Sequence, residues 1–340
     1  SLFFYEEKFI PFSLGLLNSK PVSHILEILN PTLNMNIGEI QSIPIPEGAM
    51  INFDKIVETT KKCIEISKRD WNSQEKAWGF SEFILLEDQY YQSKLNMAYR
   101  KARTAWKDTV NALQILEKKN NKRFIDAYFL NEELSADLSM EEITLTCNPR
   151  YRYSGDKNED VLESLLLEDT IKEFISYSVG CMFGRYSLDE PGLILANQGD
   201  TIDTYLSQIP NPTFMPDDDN VIPVLEEGWF PDDITERFKH FLRVTFGEEH
   251  YQENLDFLEE AIGRDIRDFF IKDFYEYHCK MYSKPYYGKR PIYWMFESPK
   301  GHFKALIYMH RYTPDTVSIV LNDYLHEFRA KLQAQEAHLE

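Results

Sequence analysis

Apolar and polar positions follow a helical period along much of the chain. The clearest stretch lies within residues 49–125, where small and apolar residues recur at alternating steps of four and three: Tyr91, Leu95, Ala98, Ala102, Ala105, Thr109, Ala112 and Leu116. Such a seam is typical of a helix that packs along a neighbouring helix, and its alanines permit close approach. The pattern therefore predicts a long helical spacer or helical hairpin over residues 49–125.

Shorter elements are predicted on either side of this spacer. Helical periodicity covers residues 12–29, 161–183 and 234–279, with Asp233 or Thr235 as the N-cap of the last stretch. Residues 37–46 and 141–146 have the composition of short strands. Two β-rich runs flank a turn at residues 298–301, which predicts a β-hairpin near residues 292–309, and Thr313-Pro314 opens a final helix. The fold class is mainly α with small β elements (α+β).

Charge divides the chain more sharply than hydropathy does. The hydrophobic content of 43% and aromatic content of 14% indicate a folded protein. The net charge is −19, but residues 55–125 carry 15 basic and 9 acidic side chains, whereas residues 126–340 carry 20 and 41. Seven acids and no base lie between residues 216 and 233, which predicts a solvated loop. We therefore expect three parts: residues 1–48, the helical spacer 49–125, and an acidic C-terminal domain 126–340 that contains the hairpin.

Several classes of function have no motif here. The four cysteines lie far apart and no histidines have metal-site spacing, so we expect neither a disulfide framework nor a metal site. No apolar run is long enough to cross a membrane and no signal peptide is evident, so a cytoplasmic location is expected. Asp232, Glu236 and Lys239 come nearest to a nuclease pattern, but a solvated helix start is the better interpretation.

Three groups of segments resemble one family. They cover residues 14–20 with 29–45, residues 121–130 with 143–153, and residues 175–189 with 291–294, 298–301 and 308–312. Together they resemble the PglX-type adenine-specific DNA methyltransferases of BREX phage-defence systems. The family usually has Gly where Phe129 stands, which would change the local turn. The chain starts within an apolar pattern without Met and ends in Leu-Glu, so we expect a piece of a longer protein.

The resemblance implies a parent enzyme that uses S-adenosylmethionine to methylate adenine in double-stranded DNA. Its glycine-rich turn and Asn/Asp-Pro-Pro-Tyr/Phe motif would lie upstream of this chain. Residues 148–151 and 211–214 begin with Asn-Pro but lack the second proline, so we assign no catalytic or cofactor-binding residue here. We expect the piece alone to be inactive, and residues 1–48 to end a target-recognition region.

The candidate DNA-binding residues come from three segments of the chain: Asn34, Asn36, Arg100, Arg103, Lys107, Arg150, Tyr151 and Arg152. Cationic side chains along a helix can follow DNA phosphates, although a solvated helix face has the same pattern. Alternating Arg and Tyr at 150–153 is typical of nucleic-acid stacking sites, and equally of Arg packed on rings in an interdomain joint. The two asparagines could instead only form a turn.

Two functions follow from these patterns. The first is a DNA-recognition and scaffold portion of an adenine-specific methyltransferase, with double-stranded DNA as its partner. The second is a protein-interaction module whose acidic region docks other BREX proteins or a phage inhibitor. A metal-dependent nuclease ranks third.

Overall fold

The structure is a computed structural model that describes residues 6–30, 37–284 and 288–339. Helices account for 59% of these residues, and the largest sheet among them has three strands. The predicted class, mainly α with small β elements, is therefore confirmed.

The chain divides into two compact units. The first unit comprises Ser1–Trp71 and Arg103–Glu163, and the second comprises Asn72–Ala102 and Ser164–Glu340. Two long helices each contribute several residues to both units: α6 (Leu95–Tyr128) and α8 (Glu159–Met182). The other helices of the first unit are α1 (Phe9–Leu17), α2 (Lys20–Leu29), α3 (Ile37–Gln41), α4 (Glu47–Ile51), α5 (Phe53–Asn72, to Trp71) and α7 (Pro149–Arg152).

The first unit packs α1, α2 and α5 against the end of α6. Phe12, Ile56 and Phe124 are fully buried in this core. Both predicted strands in this unit are wrong. Residues 37–41 form α3, and residues 140–142 form a 3-10 turn in which Ser139 and Glu142 cap each other's backbone. Short apolar runs with one polar face suit a helical turn as well as a strand.

The buried stripe of α6 confirms only part of the predicted seam, because Tyr91 lies before the helix and is 40% exposed. Leu95, Ala98 and Ala102 are fully buried, but Val110 and Leu113 then take the places expected for Thr109 and Ala112. The stripe recurs every eleven residues, from Ala102 through Leu113 to Phe124. The pitch of a straight α-helix is closer to an eleven-residue repeat than to a seven-residue repeat. Positions seven residues apart therefore move gradually off the buried face.

Helix α6 ends at a residue in the left-handed region. Phe129 has φ +60°, its amide donates to Asp126 O, and the Leu130 amide donates to Ile125 O at 3.0 Å. This pair of bonds closes a helix in the way that normally selects glycine. We expected Phe129 to change this turn, because the family usually has Gly at its position. The chain instead makes the turn that glycine would make.

The second unit contains a non-helical stretch and a largely helical region. Residues 73–94 were predicted to be helical but form a non-helical stretch with one 3-10 turn (Ile84–Leu86), and Phe80 and Phe83 lie buried in it. The helices that follow α8 are α9 (Ile202–Gln208), α10 (Ile234–Phe246), α11 (Tyr251–Ile262), α12 (Ile266–Phe269), α13 (Tyr275–Met281), α14 (Thr316–Ile319) and α15 (His326–Leu339). Asp233 caps α10 through the Thr235 amide, as one of the two predicted N-caps.

The predicted β-hairpin is confirmed. Strands β4 (Tyr293–Glu297) and β5 (Lys304–Tyr308) pair antiparallel, and the Gly301 amide donates to Ser298 O in the turn between them. β1 (Val221–Pro223) adds to the other edge of β5 and was not predicted. A separate two-stranded ribbon joins β2 (Ser283–Lys284) to β3 (Gly288–Lys289).

Two π-helical turns interrupt helices of the second unit. Phe270–Phe274 joins α12 to α13, and Val320–Leu325 joins α14 to α15. In each case every fourth residue along the turn and its flanking helices is buried. These residues are Ile266, Phe270, Phe274 and His278 in one, and Thr316, Val320, Tyr324 and Phe328 in the other. A regular α-helix drifts by roughly 40° for each such step. The wide turns therefore keep these side chains on one face.

Candidate functional site

The structure brings three predicted DNA-binding residues together within the first unit. Arg103 and Lys107 of α6 and Arg150 of α7 line one pocket of about 330 Å³. Asn111, Asn148 and Glu159 complete its polar lining. Residues chosen separately from two segments therefore converge on one cavity.

Arg103 is the innermost cation of this pocket. It is only 8% exposed, and its Nε and Nη2 each donate to Glu163 at 2.7 Å. Its Nη1 is buried and has no hydrogen-bond partner among the described residues. The hydrogen bond from Arg103 lowers the pKa of the Glu163 carboxyl, with burial opposing it and Lys107 adding to it. Glu163 thus fixes the guanidinium while one of its edges stays unsatisfied.

The other two cations are more exposed. Lys107 Nζ lies 3.1 Å from Glu163, and its side chain is 53% exposed. Arg150 Nη2 donates to Glu159 Oε2 at 2.8 Å, and Arg150 Nη1 lies 3.6 Å from Glu141 Oε1. Exposed ion pairs of this kind contribute little net stability, so both cations can exchange a carboxylate for another anion.

A dense set of backbone contacts positions α7. Asn148 is its N-cap and accepts from the Arg150 amide, while its Nδ2 donates to the Met140 and Ile143 carbonyls at 2.8 Å. Asp70 of α5 accepts three hydrogen bonds from residues 146 and 147. Asn148-Pro149 therefore begins a short helix.

A second pocket adjoins the first and shares Arg150. It has a volume of about 270 Å³, and its lining consists of Glu141, Arg150, Tyr151, Tyr153, Ser154, Gly155, Lys157 and Leu162. Tyr151 is 46% exposed, and the Arg152 guanidinium lies over the Tyr153 ring at 5.7 Å. Tyr153 belongs to the alternation of Arg and Tyr that indicated a stacking site, although it was not one of the eight candidate residues. Lys157 was not predicted.

Among the candidates that the structure describes, Arg100 and Arg152 line neither pocket. Arg100 is exposed on the part of α6 that belongs to the second unit. Asn34 and Asn36 lie outside the described residues.

The acidic segment 216–233 is not the solvated loop that its charge predicted. It contains β1, and both Asp217 and Asp233 are buried. Arg311 donates to the Asp217 and Asp218 carbonyls, and Arg267 Nη1 donates to Asp233 at 3.0 Å. Arginines distant in sequence supply the partners that the local sequence lacks, so the segment folds into the core.

An acidic crevice of about 680 Å³ nevertheless opens beside this segment in the second unit. Its charged lining comprises Asp217, Asp218, Asp219, Asp232, Asp323 and Glu327, with Arg237 and His240. The Tyr324 hydroxyl lies 2.8 Å from Asp219 and 2.6 Å from Asp232. Burial raises the pKa of Asp217, opposed by Arg237. A basic group would be the natural ligand of this crevice.

Within the described ranges, His, Cys, Asp and Glu form no group of three or more suited to hold a metal ion. The helices described there also include none with the length and apolarity to cross a membrane.

Comparison with known proteins places the chain beside two methyltransferases. No protein-family model matches it. It is 36% identical over 337 residues to the adenine-specific methyltransferase BrxX of Escherichia coli O9:H4 (strain HS), covering 94% of this chain and 27% of that protein. It is 37% identical over 329 residues to the adenine-specific methyltransferase PglX of Lacticaseibacillus casei (strain Zhang), covering 93% of this chain and 25% of that protein. The chain thus spans about a quarter of the length of these relatives and corresponds to their C-terminal part.

Proposed function

We propose that this chain, a member of the PglX-type family of BREX adenine-specific methyltransferases, forms the DNA-recognition and scaffold portion of such an enzyme. The family was predicted from the sequence and is confirmed by the two relatives. In this proposal the whole enzyme methylates adenine in double-stranded DNA with S-adenosylmethionine, and the cofactor binds outside this chain. We retain the three predicted parts, residues 1–48, 49–125 and 126–340, as functional divisions within that proposal.

The convergence of Arg103, Lys107 and Arg150 on one pocket carries the proposal. Phosphate contacts from Arg and Lys supply sequence-independent affinity for a duplex and fix its position. Glu163 already orders the Arg103 guanidinium, so this side chain loses little freedom when an anion enters the pocket. Residues 55–125 carry a net charge of +6 on a chain with net charge −19, so DNA is attracted to this part of the chain more than to the rest.

A salt titration of DNA binding tests the proposal. We expect a fluorescent duplex to bind the 340-residue chain more weakly after Lys107→Gln and Arg150→Gln together. The slope of log affinity against log salt should become shallower by roughly 0.9 for each phosphate that the variant no longer neutralises. The control is Lys272→Gln with Lys280→Gln, two exposed lysines of the second unit in similar ion pairs. Equal weakening by both pairs would contradict the proposal.

A methyl-transfer assay tests the other half of the proposal. With labelled S-adenosylmethionine and duplex DNA, the chain alone should transfer no methyl group. Transfer by the purified chain would contradict the assignment of the chemistry to another part of the enzyme.

The acidic crevice favours a second function, the docking of a basic surface on another BREX protein or on a phage inhibitor. Asp218→Asn with Asp323→Asn should then weaken capture of that protein, while Glu226→Gln, an exposed acid outside the crevice, should not. Recovery of nucleic acid alone with the chain would contradict this alternative.

A further inference from the structure

One edge of a buried arginine in the first unit lacks a partner. A guanidinium carries five N–H groups, and Glu163 accepts from those on Nε and Nη2 of Arg103. The two on Nη1 have no acceptor among the described residues, and the atom is shielded from solvent. An unpaired buried donor is unfavourable, and more so when it belongs to a charged group. Arg103 also lines the 330 Å³ pocket, so rotation of its guanidinium would let an anion in that pocket accept from Nη1 and remove this cost.

The chemistry of the pocket selects phosphate among anions. Lys107 and Arg150 line the same cavity, so an ammonium and two guanidinium groups face one volume. Guanidinium groups match the oxygens of a phosphate and bind it through paired charge-assisted hydrogen bonds. Glu159 is the acid in the lining, and its bond to Arg150 is solvent-exposed, so a phosphate can replace it.

The adjoining pocket suits the base attached to that phosphate. The two cavities share Arg150, and the second adds Tyr151, Tyr153 and Lys157. Tyr151 is 46% exposed, and exposed tyrosine rings bind nucleobases by stacking, which is available to any base whose face is free. The faces of bases inside a duplex are already stacked on their neighbours, so an intact base pair cannot use these rings.

We infer that the two pockets together hold one unpaired nucleotide, with its phosphate at Arg103, Lys107 and Arg150 and its base at Tyr151 and Tyr153. The inference rests on the proposed function, because DNA must reach this face. The chain has none of the methyl-transfer motifs, so this nucleotide differs from the base that the enzyme would methylate.

Three fluorescent DNA probes test the inference on the 340-residue chain: a paired duplex, the same duplex with one bulged nucleotide, and the single strand. The bulged duplex and the single strand should each bind more tightly than the paired duplex. Tyr151→Ala with Tyr153→Ala should weaken binding of these two probes about five-fold or more, and leave the paired duplex nearly unchanged. Trp78→Ala, which removes a fully exposed ring elsewhere, should change none of the three.

Arg103→Lys tests the proposed phosphate site, since lysine keeps the positive charge but has no second guanidinium edge. This variant should weaken binding of the bulged duplex more than binding of the paired duplex, with an unchanged circular dichroism spectrum. Inorganic phosphate and dAMP serve as competitors, and dAMP should displace the single strand at lower concentration. An equal effect of the two competitors, or equal weakening of all probes by the tyrosine variant, overturns the nucleotide site. If the paired duplex binds in the salt-dependent way described above, the proposed function survives that result; if no probe binds, both fail.

Discussion

Replacement of Asp233 tests whether the acidic segment belongs to the core of the second unit. Its Oδ1 accepts from the Thr235 amide at 2.9 Å and from Arg267 Nη1 at 3.0 Å, and its Oδ2 accepts from the Leu225 amide at 3.4 Å. The residue is fully buried. Asp233→Ala removes all three acceptor interactions, whereas Asp233→Asn keeps a side-chain oxygen at the cap.

The alanine cost follows from these interactions. Loss of an N-cap acceptor costs about 1 kcal/mol. The Leu225 amide also loses its acceptor, Asp233 Oδ2. Because that hydrogen bond is long, at 3.4 Å, its loss costs only about 1 kcal/mol. Arg267 loses its buried partner but retains Leu225 O and Glu236, so this contribution is again about 1 kcal/mol, well below that of a fully buried broken pair. We therefore expect Asp233→Ala to lower the free energy of unfolding by about 3 kcal/mol.

The asparagine variant should cost less, about 1 kcal/mol, because Asn caps a helix as well as Asp does. Burial raises the pKa of Asp233 despite Arg267, so the folded state disfavours the ionised form. The stability that Asp233 contributes therefore falls as pH rises from the ordinary carboxyl pKa through the raised one. Asparagine does not ionise and escapes that loss.

Urea denaturation followed by circular dichroism measures these differences. Glu226→Ala, at an exposed acid of the same segment, is the control and should change the free energy of unfolding by less than about 0.5 kcal/mol. If Asp233→Ala and Glu226→Ala had equal effects within that margin, the segment would be the solvated loop that its charge predicts, and our reasoning on its burial would be refuted.

Three further substitutions test other parts of the fold. Phe129→Gly should raise the free energy of unfolding by about 1 kcal/mol, because glycine adopts φ +60° without strain and the ring that is removed is 87% exposed; a lower urea midpoint would contradict this. Gly180→Ala should lower it by about 1–3 kcal/mol, because the added Cβ would collide with the buried Tyr186 ring; a higher melting temperature would show that the ring can move. Burial and then Glu142 raise the pKa of Glu117 to about 7, so its ionisation destabilises the folded state as pH rises from the ordinary carboxyl value through 7. Glu117→Gln should therefore be more stable than the wild type near pH 8, by about 1 kcal/mol after allowance for solvent screening, and no more stable near pH 4; urea midpoints at both values measure this, and a constant difference would contradict it.

Local patterns predicted the elements whose determinants are local. The hairpin follows from two β-rich runs around Ser298–Gly301, and the cap at Asp233 from its position before a helical period. The α6 seam failed after Ala102 because a seven-residue repeat cannot follow a straight helix for many turns. Residues 73–94 were misassigned because burial of Phe80 and Phe83 in an irregular segment leaves no periodic pattern.

The environment of the charged residues could not be predicted, because their partners are distant in sequence. Sixty residues separate Arg103 from Glu163, so nothing near Arg103 distinguishes a paired guanidinium from a solvated one. The acidic segment was misjudged for the same reason, since Arg267 and Arg311 reach it from later elements. A count of charged residues gives the net charge of a segment, but only the tertiary structure shows which of those charges are paired with opposite ones.

The two wide helical turns have a consequence for tolerance to insertion and deletion. Removal of a single residue from Phe270–Phe274 or Val320–Leu325 would let that helix return to the ordinary pitch, because eleven steps of a regular α-helix turn through about 1100°, within roughly 20° of the three turns that the twelve steps now make. His278 in one case and Phe328 in the other would then stay on the buried face. These two stretches should therefore tolerate the loss of one residue better than a regular stretch of the same helix, where a deletion rotates every later side chain by roughly 100°.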